Sequence, residues 1–74
     1  MWRAGKIEIE NRTIHYWIKC FDLGSPYGID EGGISKLMLK RDGQILANFD
    51  RGWEIEPIDA NAQAALEILM QEYN

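Results

Sequence analysis

Two serines and one histidine are the residues whose side chains could support nucleophilic catalysis. A serine nucleophile needs a base within hydrogen-bond reach. No base adjoins Ser25 or Ser35 in the sequence, and His15 belongs to a different predicted strand. The spacing therefore predicts no catalytic residue, and we expect a protein that is not an enzyme.

The single cysteine and the glycine-rich segment give no sign of a metal or cofactor site. One cysteine, Cys20, excludes an intrachain disulfide, and its alternating apolar neighbours indicate a small buried residue rather than a reactive thiol. The segment from Asp22 to Gly33 lacks both G-x-x-x-x-G-K-[ST] and G-x-G-x-x-G. We expect no cofactor and no metal, and a long loop that either connects two hairpins or contacts a ligand or partner.

Composition limits both the size of the fold and the class of partner. The chain has 74 residues and 46% hydrophobic residues, which predicts a single domain over residues 1 to 74. A net charge of -4 and a pI near 4.8 make nucleic acid an unlikely partner. Lys36, Lys40 and Arg41 are then interpreted as a solvated surface. No apolar run is long enough for a signal peptide or a membrane span, so we expect a cytoplasmic protein without membrane contact.

The segment from Gly32 to Trp53 predicts a hairpin about Asp42-Gly43. A two-residue turn would place Arg41 opposite Gln44, whereas a three-residue loop would pair Lys40 with Gln44. We predict the three-residue loop because it groups the apolar residues on one face of the hairpin. That face would carry Leu37, Leu39, Ile45, Ala47 and Phe49.

An earlier hairpin is predicted from Lys6 to Glu10 and from Thr13 to Phe21. A two-residue loop would pair Ile9 with Ile14 and produce one continuous apolar face. The opposite face alternates charged residues with Trp17 and Phe21, and large aromatic residues there are not typical of plain solvent exposure.

A single helix is predicted from Asp59 to Tyr73, with Asp59 as its N-cap. Its apolar stripe would comprise Ala62, Ala65, Leu66, Leu69 and Tyr73. The predicted fold is therefore α+β: a four-stranded antiparallel sheet of two hairpins with one C-terminal helix on one face, in the order β-β-β-β-α. The other face would be left open, and it would carry Trp17, Phe21, Met38 and Leu46, unless Trp2 and its neighbours fold across it.

Three motifs, S-P-Y-G-I, G-I-S-K-L and D-R-G-W-E-I-E-P, precede a helix that ends in Y-N. With these motifs the chain, from about Trp17 to Asn74, resembles a small uncharacterised domain family of Bacillota and their phages. The resemblance implies a bacterial or phage origin and no known activity. Gly33 departs from the family pattern, in which arginine is common before Ile34.

The motif positions suggest one polar cluster near the open end of the second hairpin. It either pins the glycine-rich loop or binds a polar ligand, and its members are Ser25, Tyr27, Ser35, Lys36, Asp50, Arg51 and Trp53. We expect a small interaction protein, a phage or mobile-element accessory factor that modulates a host protein such as a host-defence component. Its partner would be that protein or a second copy in a homodimer. The alternative is an oligomeric protein that binds a small molecule or nucleotide.

Overall fold

The computed structural model of the protein describes all residues from 1 to 74. Five strands pair in chain order, each antiparallel to the next, and one helix follows. The elements are β1 (Trp2–Ile9), β2 (Arg12–Cys20), β3 (Ile34–Arg41), β4 (Gln44–Asp50), β5 (Trp53–Ile55) and α1 (Ala60–Tyr73), with a 3-10 turn at Ile29–Glu31 between β2 and β3. The two predicted hairpins, the intervening loop and the C-terminal helix are confirmed.

The prediction of four strands is wrong, because β5 adds a fifth strand at the edge of the sheet. This strand has three residues and pairs with β4 through Phe49–Trp53 and Asn48–Ile55. The rings of Phe49 and Trp53 meet edge to face, with their centroids 5.0 Å apart. Three residues are too few to show an alternating pattern, so the strand is defined by the partner it pairs with.

The predicted register of the β3–β4 hairpin is also wrong. The turn is Asp42-Gly43, with Arg41 opposite Gln44, and the φ angles of Asp42 and Gly43 are 50° and 81°, as in a type I′ turn. Lys40 pairs with Ile45 but Leu39 pairs with Ala47, so Leu46 is the extra residue of a β-bulge. The bulge allows Leu46 and Ala47, which are consecutive, to be fully buried. Leu46 therefore belongs to the core and not to the open face.

The β1–β2 hairpin turns at Glu10-Asn11, one residue earlier than predicted. Both turn residues have positive φ, and Ile7, not Ile9, lies opposite Ile14. This shift of two positions keeps every side chain on its predicted face, because side chains alternate with a period of two. The strand also begins at Trp2, well before the predicted start at Lys6.

The core lies between α1 and one face of the sheet. Its buried residues are Ile14, Ile18, Cys20, Ile29, Ile34, Leu37, Leu39, Leu46, Ala47, Phe49, Ala62, Ala65, Leu66 and Leu69. The predicted helix stripe is confirmed, with Tyr73 partly buried against this cluster. The buried position predicted for Cys20 is confirmed as well.

Asp59 caps α1 as predicted and also neutralises a buried cation. Its Oδ1 accepts a hydrogen bond from the Ala62 N–H at 2.8 Å, and its Oδ2 lies 3.0 Å from Nη2 of Arg41. The Arg41 side chain is only 8% exposed, so its assignment to a solvated surface is wrong. The buried guanidinium joins the end of β3 to the start of the helix.

We expect Leu69→Ala to destabilise the fold by about 2–5 kcal/mol, because it removes buried methyl groups and leaves a cavity. Leu69 is 1% exposed, whereas its neighbour Ile68 is 43% exposed. Ile68→Ala is therefore the matched control and should cost much less. Urea unfolding of the two variants makes the comparison, and equal losses of unfolding free energy would contradict this account of the core.

The Asp59 carboxylate gives stability a defined pH dependence. The hydrogen bond from Ala62 and then the Arg41 guanidinium lower its pKa below the ordinary value. A group with a lowered pKa stabilises the fold above its unfolded pKa, about 4, and loses that contribution as pH falls through the folded pKa. Asp59→Asn should thus be less stable than wild type near neutral pH, and the gap should close in acid.

Thermal unfolding between neutral pH and strong acid tests this, with Asp42→Asn as the control. Asp42 pairs with Arg12 through side chains that are 78% and 52% exposed, so its loss should change little at any pH. A gap between wild type and Asp59→Asn that persists at low pH would mean that the charge on Asp59 is not its source.

Candidate functional site

No helix covers the sheet face opposite α1, and this open face carries two exposed indoles. Trp2 is 60% exposed and Trp17 is 42% exposed. Trp2 lies opposite Lys19, so the N-terminal residues extend the open face as part of β1 and do not fold across it. Phe21, which follows β2, is 52% exposed.

The strand register arranges the open face in rows that cross the sheet. One row runs Trp2, Lys19, Lys36, Asp50, and the next runs Ala4, Trp17, Met38, Asn48, Ile55. Residues directly opposite one another share a face, so each row is a line of neighbouring side chains. The predicted grouping of Trp17 with Met38 is therefore observed, and Trp2 is a member that the sequence analysis did not assign.

A shallow hollow of about 430 Å³ lies on the open face. Both indoles and Met38 line its apolar part, and Lys36, Lys40, Asn48 and Asp50 line its polar part. Lys36 Nζ lies 3.6 Å from Asp50 Oδ1. The ring of His15 stacks beside that of Trp17, with the centroids 6.4 Å apart. Such a surface can bind by apolar contact and by charge.

The residues predicted to form one polar cluster lie on different sides of the sheet. Lys36 and Asp50 belong to the open face. Trp53 lies on the helix side, where it lines a hollow with Ile29 and Leu66. The guanidinium of Arg51 lies over the ring of Tyr27, 5.6 Å from its centroid. No single pocket is lined by all of these residues.

The hydroxyl group of each serine forms a hydrogen bond with the backbone. Ser25 Oγ accepts from the Tyr27 N–H at 3.2 Å, and Ser35 Oγ donates to the Lys19 carbonyl at 3.3 Å. The Arg51 N–H donates to the Ser35 carbonyl at 3.2 Å. These bonds stabilise turns and strand ends, and none of them links a serine to a base.

The glycine-rich loop is closely packed rather than open. Ile29 is buried at 3% exposure, whereas Tyr27 is 60% exposed. A Cβ on Gly28 would collide with the Gly32 carbonyl, and one on Gly33 would collide with that of Phe21. The backbone approaches itself too closely at these positions for any residue except glycine.

The Asn74 side chain holds this loop in place through two hydrogen bonds, a role that the sequence did not reveal. Its Oδ1 accepts from the Ile34 N–H and its Nδ2 donates to the Ile29 carbonyl, each at 3.0 Å. Although the Y-N ending was noted as part of a motif, nothing in the local pattern identified a partner so distant along the chain. The side chain therefore bonds one backbone group in the loop and one at the start of β3.

No three or more His, Cys, Asp or Glu side chains are grouped closely enough to hold a metal ion. The single helix is too short and too polar to cross a membrane.

A family model described as a domain of unknown function, DUF7678, matches residues 1–74. The chain belongs to this family. The match confirms a small uncharacterised domain and covers the whole chain, beyond the region from Trp17 to Asn74 on which the resemblance rested. No curated protein and no solved structure matches the chain.

The contacts of Asn74 and Arg51 predict how the loop responds to mutation. Asn74→Ala should speed amide exchange at Ile34 and Gly32, because it removes two partly buried hydrogen bonds. Arg51→Ala removes only an exposed cation–π contact and should have a smaller effect in the same direction.

Hydrogen exchange measured by NMR tests this ranking, with Arg12→Ala as the control. Arg12 forms an exposed ion pair with Asp42 at the opposite end of the sheet. If Asn74→Ala changes exchange in the loop no more than Arg12→Ala does, the loop is held by its own backbone bonds alone.

Proposed function

We propose that the protein is a non-enzymatic interaction module that binds a partner protein through the open sheet face. The observation that carries the proposal is the uncovered face itself: one helix covers one side of the sheet, and Trp2, Trp17 and Met38 lie together on the other. Aromatic residues and methionine are enriched in the cores of protein interfaces.

The stability of a small fold supports the same proposal. A chain of 74 residues buries a smaller share of its surface than a larger domain does. A partner that binds only the folded state stabilises it by mass action. The occupied hydroxyls of Ser25 and Ser35 fit a binding role better than a catalytic one.

The biological setting of the proposal is a phage or mobile-element accessory factor that modulates a host protein in a bacterial cytoplasm. This setting comes from the sequence motifs alone. A host-defence component is one class of protein that such a factor would bind.

A nucleotide is the second candidate ligand, and the hollow on the open face favours it. A volume of about 430 Å³ lies within the range of small-molecule sites, and indoles beside lysines suit a nucleobase with its phosphates. Lys36 and Arg51, the two cations of the predicted polar cluster, do not form a common phosphate site, because Lys36 pairs with Asp50 and Arg51 stacks on Tyr27.

We expect Trp17→Glu to abolish partner capture from a bacterial host lysate, since it places a carboxylate in the middle of the apolar part of the face. Leu23→Glu is the matched control: Leu23 is 82% exposed in the loop, and the charge change is identical. Quantitative mass spectrometry of the captured proteins measures the loss.

Sedimentation of wild type, Trp17→Glu and Leu23→Glu tests whether the protein forms a homodimer. Self-association that Trp17→Glu removes and Leu23→Glu retains would assign the face to a second copy of the chain. A monomer in every case, together with unchanged capture by Trp17→Glu, would contradict any role of this face in binding.

A further inference from the structure

All four lysines of this acidic protein lie on the open face. Lys19 lies opposite Lys36 across the β2–β3 pair. Lys6 lies opposite His15, which in turn lies opposite Lys40. Since opposite residues share a face, the register places the four ammonium groups on the side that carries Trp17.

Only two carboxylates share this face, and each already has a partner. Asp50 pairs with Lys36 at 3.6 Å, and Glu8 accepts a hydrogen bond from the Thr13 hydroxyl at 3.1 Å. The other acidic residues lie in turns, in the loop, around β5 or on α1: Glu10, Asp22, Asp30, Glu31, Asp42, Glu54, Glu56, Asp59, Glu67 and Glu72. A positive face therefore exists on a chain of net charge -4.

This arrangement costs stability in the free protein. Like charges directly opposite one another in a sheet are destabilising, and Lys19 and Lys36 are such a pair, although Asp50 partly neutralises Lys36. Lys19 Nζ lies 6.0 Å and 5.6 Å from the ring centroids of Trp2 and Phe21, which offsets part of the cost. Lys6 and Lys40 form no ion pair. An anionic partner would relieve the repulsion.

The ends of the face limit how far an anion can extend. Glu10 and Asp42 lie in the two hairpin turns at one end, and Asp22 and Asp50 lie at the other. A nucleic acid strand carries a charge on every nucleotide and would run past these carboxylates. A short acidic protein segment can end within the positive area. A second copy docked face to face would bring two net positive faces together.

From this placement we infer that the open face binds an acidic segment of a partner protein, with carboxylates on Lys6 and Lys40 and an apolar side chain on Trp17. The inference rests on the proposed function and specifies the chemistry of the partner.

The probes are short peptides of equal length and identical apolar positions, whose remaining positions are glutamate, glutamine or lysine. Oligothymidylate and adenosine triphosphate complete the set. Fluorescence anisotropy of labelled peptide or oligonucleotide gives the affinities, and quenching of the protein's tryptophan emission gives that of the nucleotide. We expect the glutamate peptide to bind most tightly and to lose affinity as salt rises.

Lys6→Gln and Lys40→Gln should each weaken binding of the glutamate peptide by about two- to fivefold, the effect of one exposed charge pair. Gln71→Glu is the control, because it changes net charge by the same amount at an exposed position on α1, on the opposite side of the protein. It should leave the affinity unchanged.

Each alternative outcome separates the two proposals. If all three peptides bind equally and Trp17→Glu abolishes their binding, the face is a protein interface but the inferred acidic chemistry is wrong. Tighter lysine-dependent binding of oligothymidylate or of the nucleotide would replace the acidic segment by that ligand. Failure of the glutamate peptide to bind would overturn the inference.

Discussion

The ion pair between buried Arg41 and the N-cap Asp59 connects the end of β3 to the start of the single helix, and the position of α1 depends on this connection. Arg41 ends β3 on the covered face, and its partner is the residue that starts α1. Removing Asp59 would leave the Arg41 guanidinium, whose side chain is 8% exposed, without a counterion, which is unfavourable. The bulge in β4 adds a second attachment, because the Leu46 carbonyl accepts a hydrogen bond from the Ile58 N–H at 3.1 Å. The segment before the helix is thus bonded to both β3 and β4, and this places α1 over one face of the sheet.

That position makes the two faces of the sheet chemically different. The covered face is apolar, and the small residues Ala62 and Ala65 bring the helix close to the strands. The open face receives all four lysines and both tryptophans of β1 to β3. A second helix could have covered this face, as in larger layered folds, but a chain of this length has none. The open face is a consequence of the fold, whereas its charge is a property of the residues placed there.

Local sequence patterns predicted the features that depend on residues close together in the chain. They failed for features that depend on contacts between residues far apart in the sequence. The helix, its cap and its buried stripe follow from spacing alone, and so does the face of each residue in the first hairpin. The bulge at Leu46 could not be predicted, because alternation can be satisfied by a three-residue loop as well as by a two-residue turn with an extra residue. Arg41 was misplaced for a related reason: the predicted loop put it in the turn, whereas the two-residue turn puts it in β3 on the covered face, where its partner Asp59 is remote in sequence. The motif residues share a region of sequence but divide between both sides of the sheet.

Net charge is a poor guide to the kind of partner this protein would bind. The strand register places the lysines on one face and most of the acidic residues elsewhere. A total of -4 describes the mean field far from the protein, where it disfavours polyanions. Within about a Debye length of the open face, the nearest charges are those of the lysines. In the proposed binding mode, the acidic residues at both ends of the strands repel a long anion, and specificity of this kind requires repulsion as well as attraction. On this proposal, a small acidic protein selects one anionic surface without attracting anions in general.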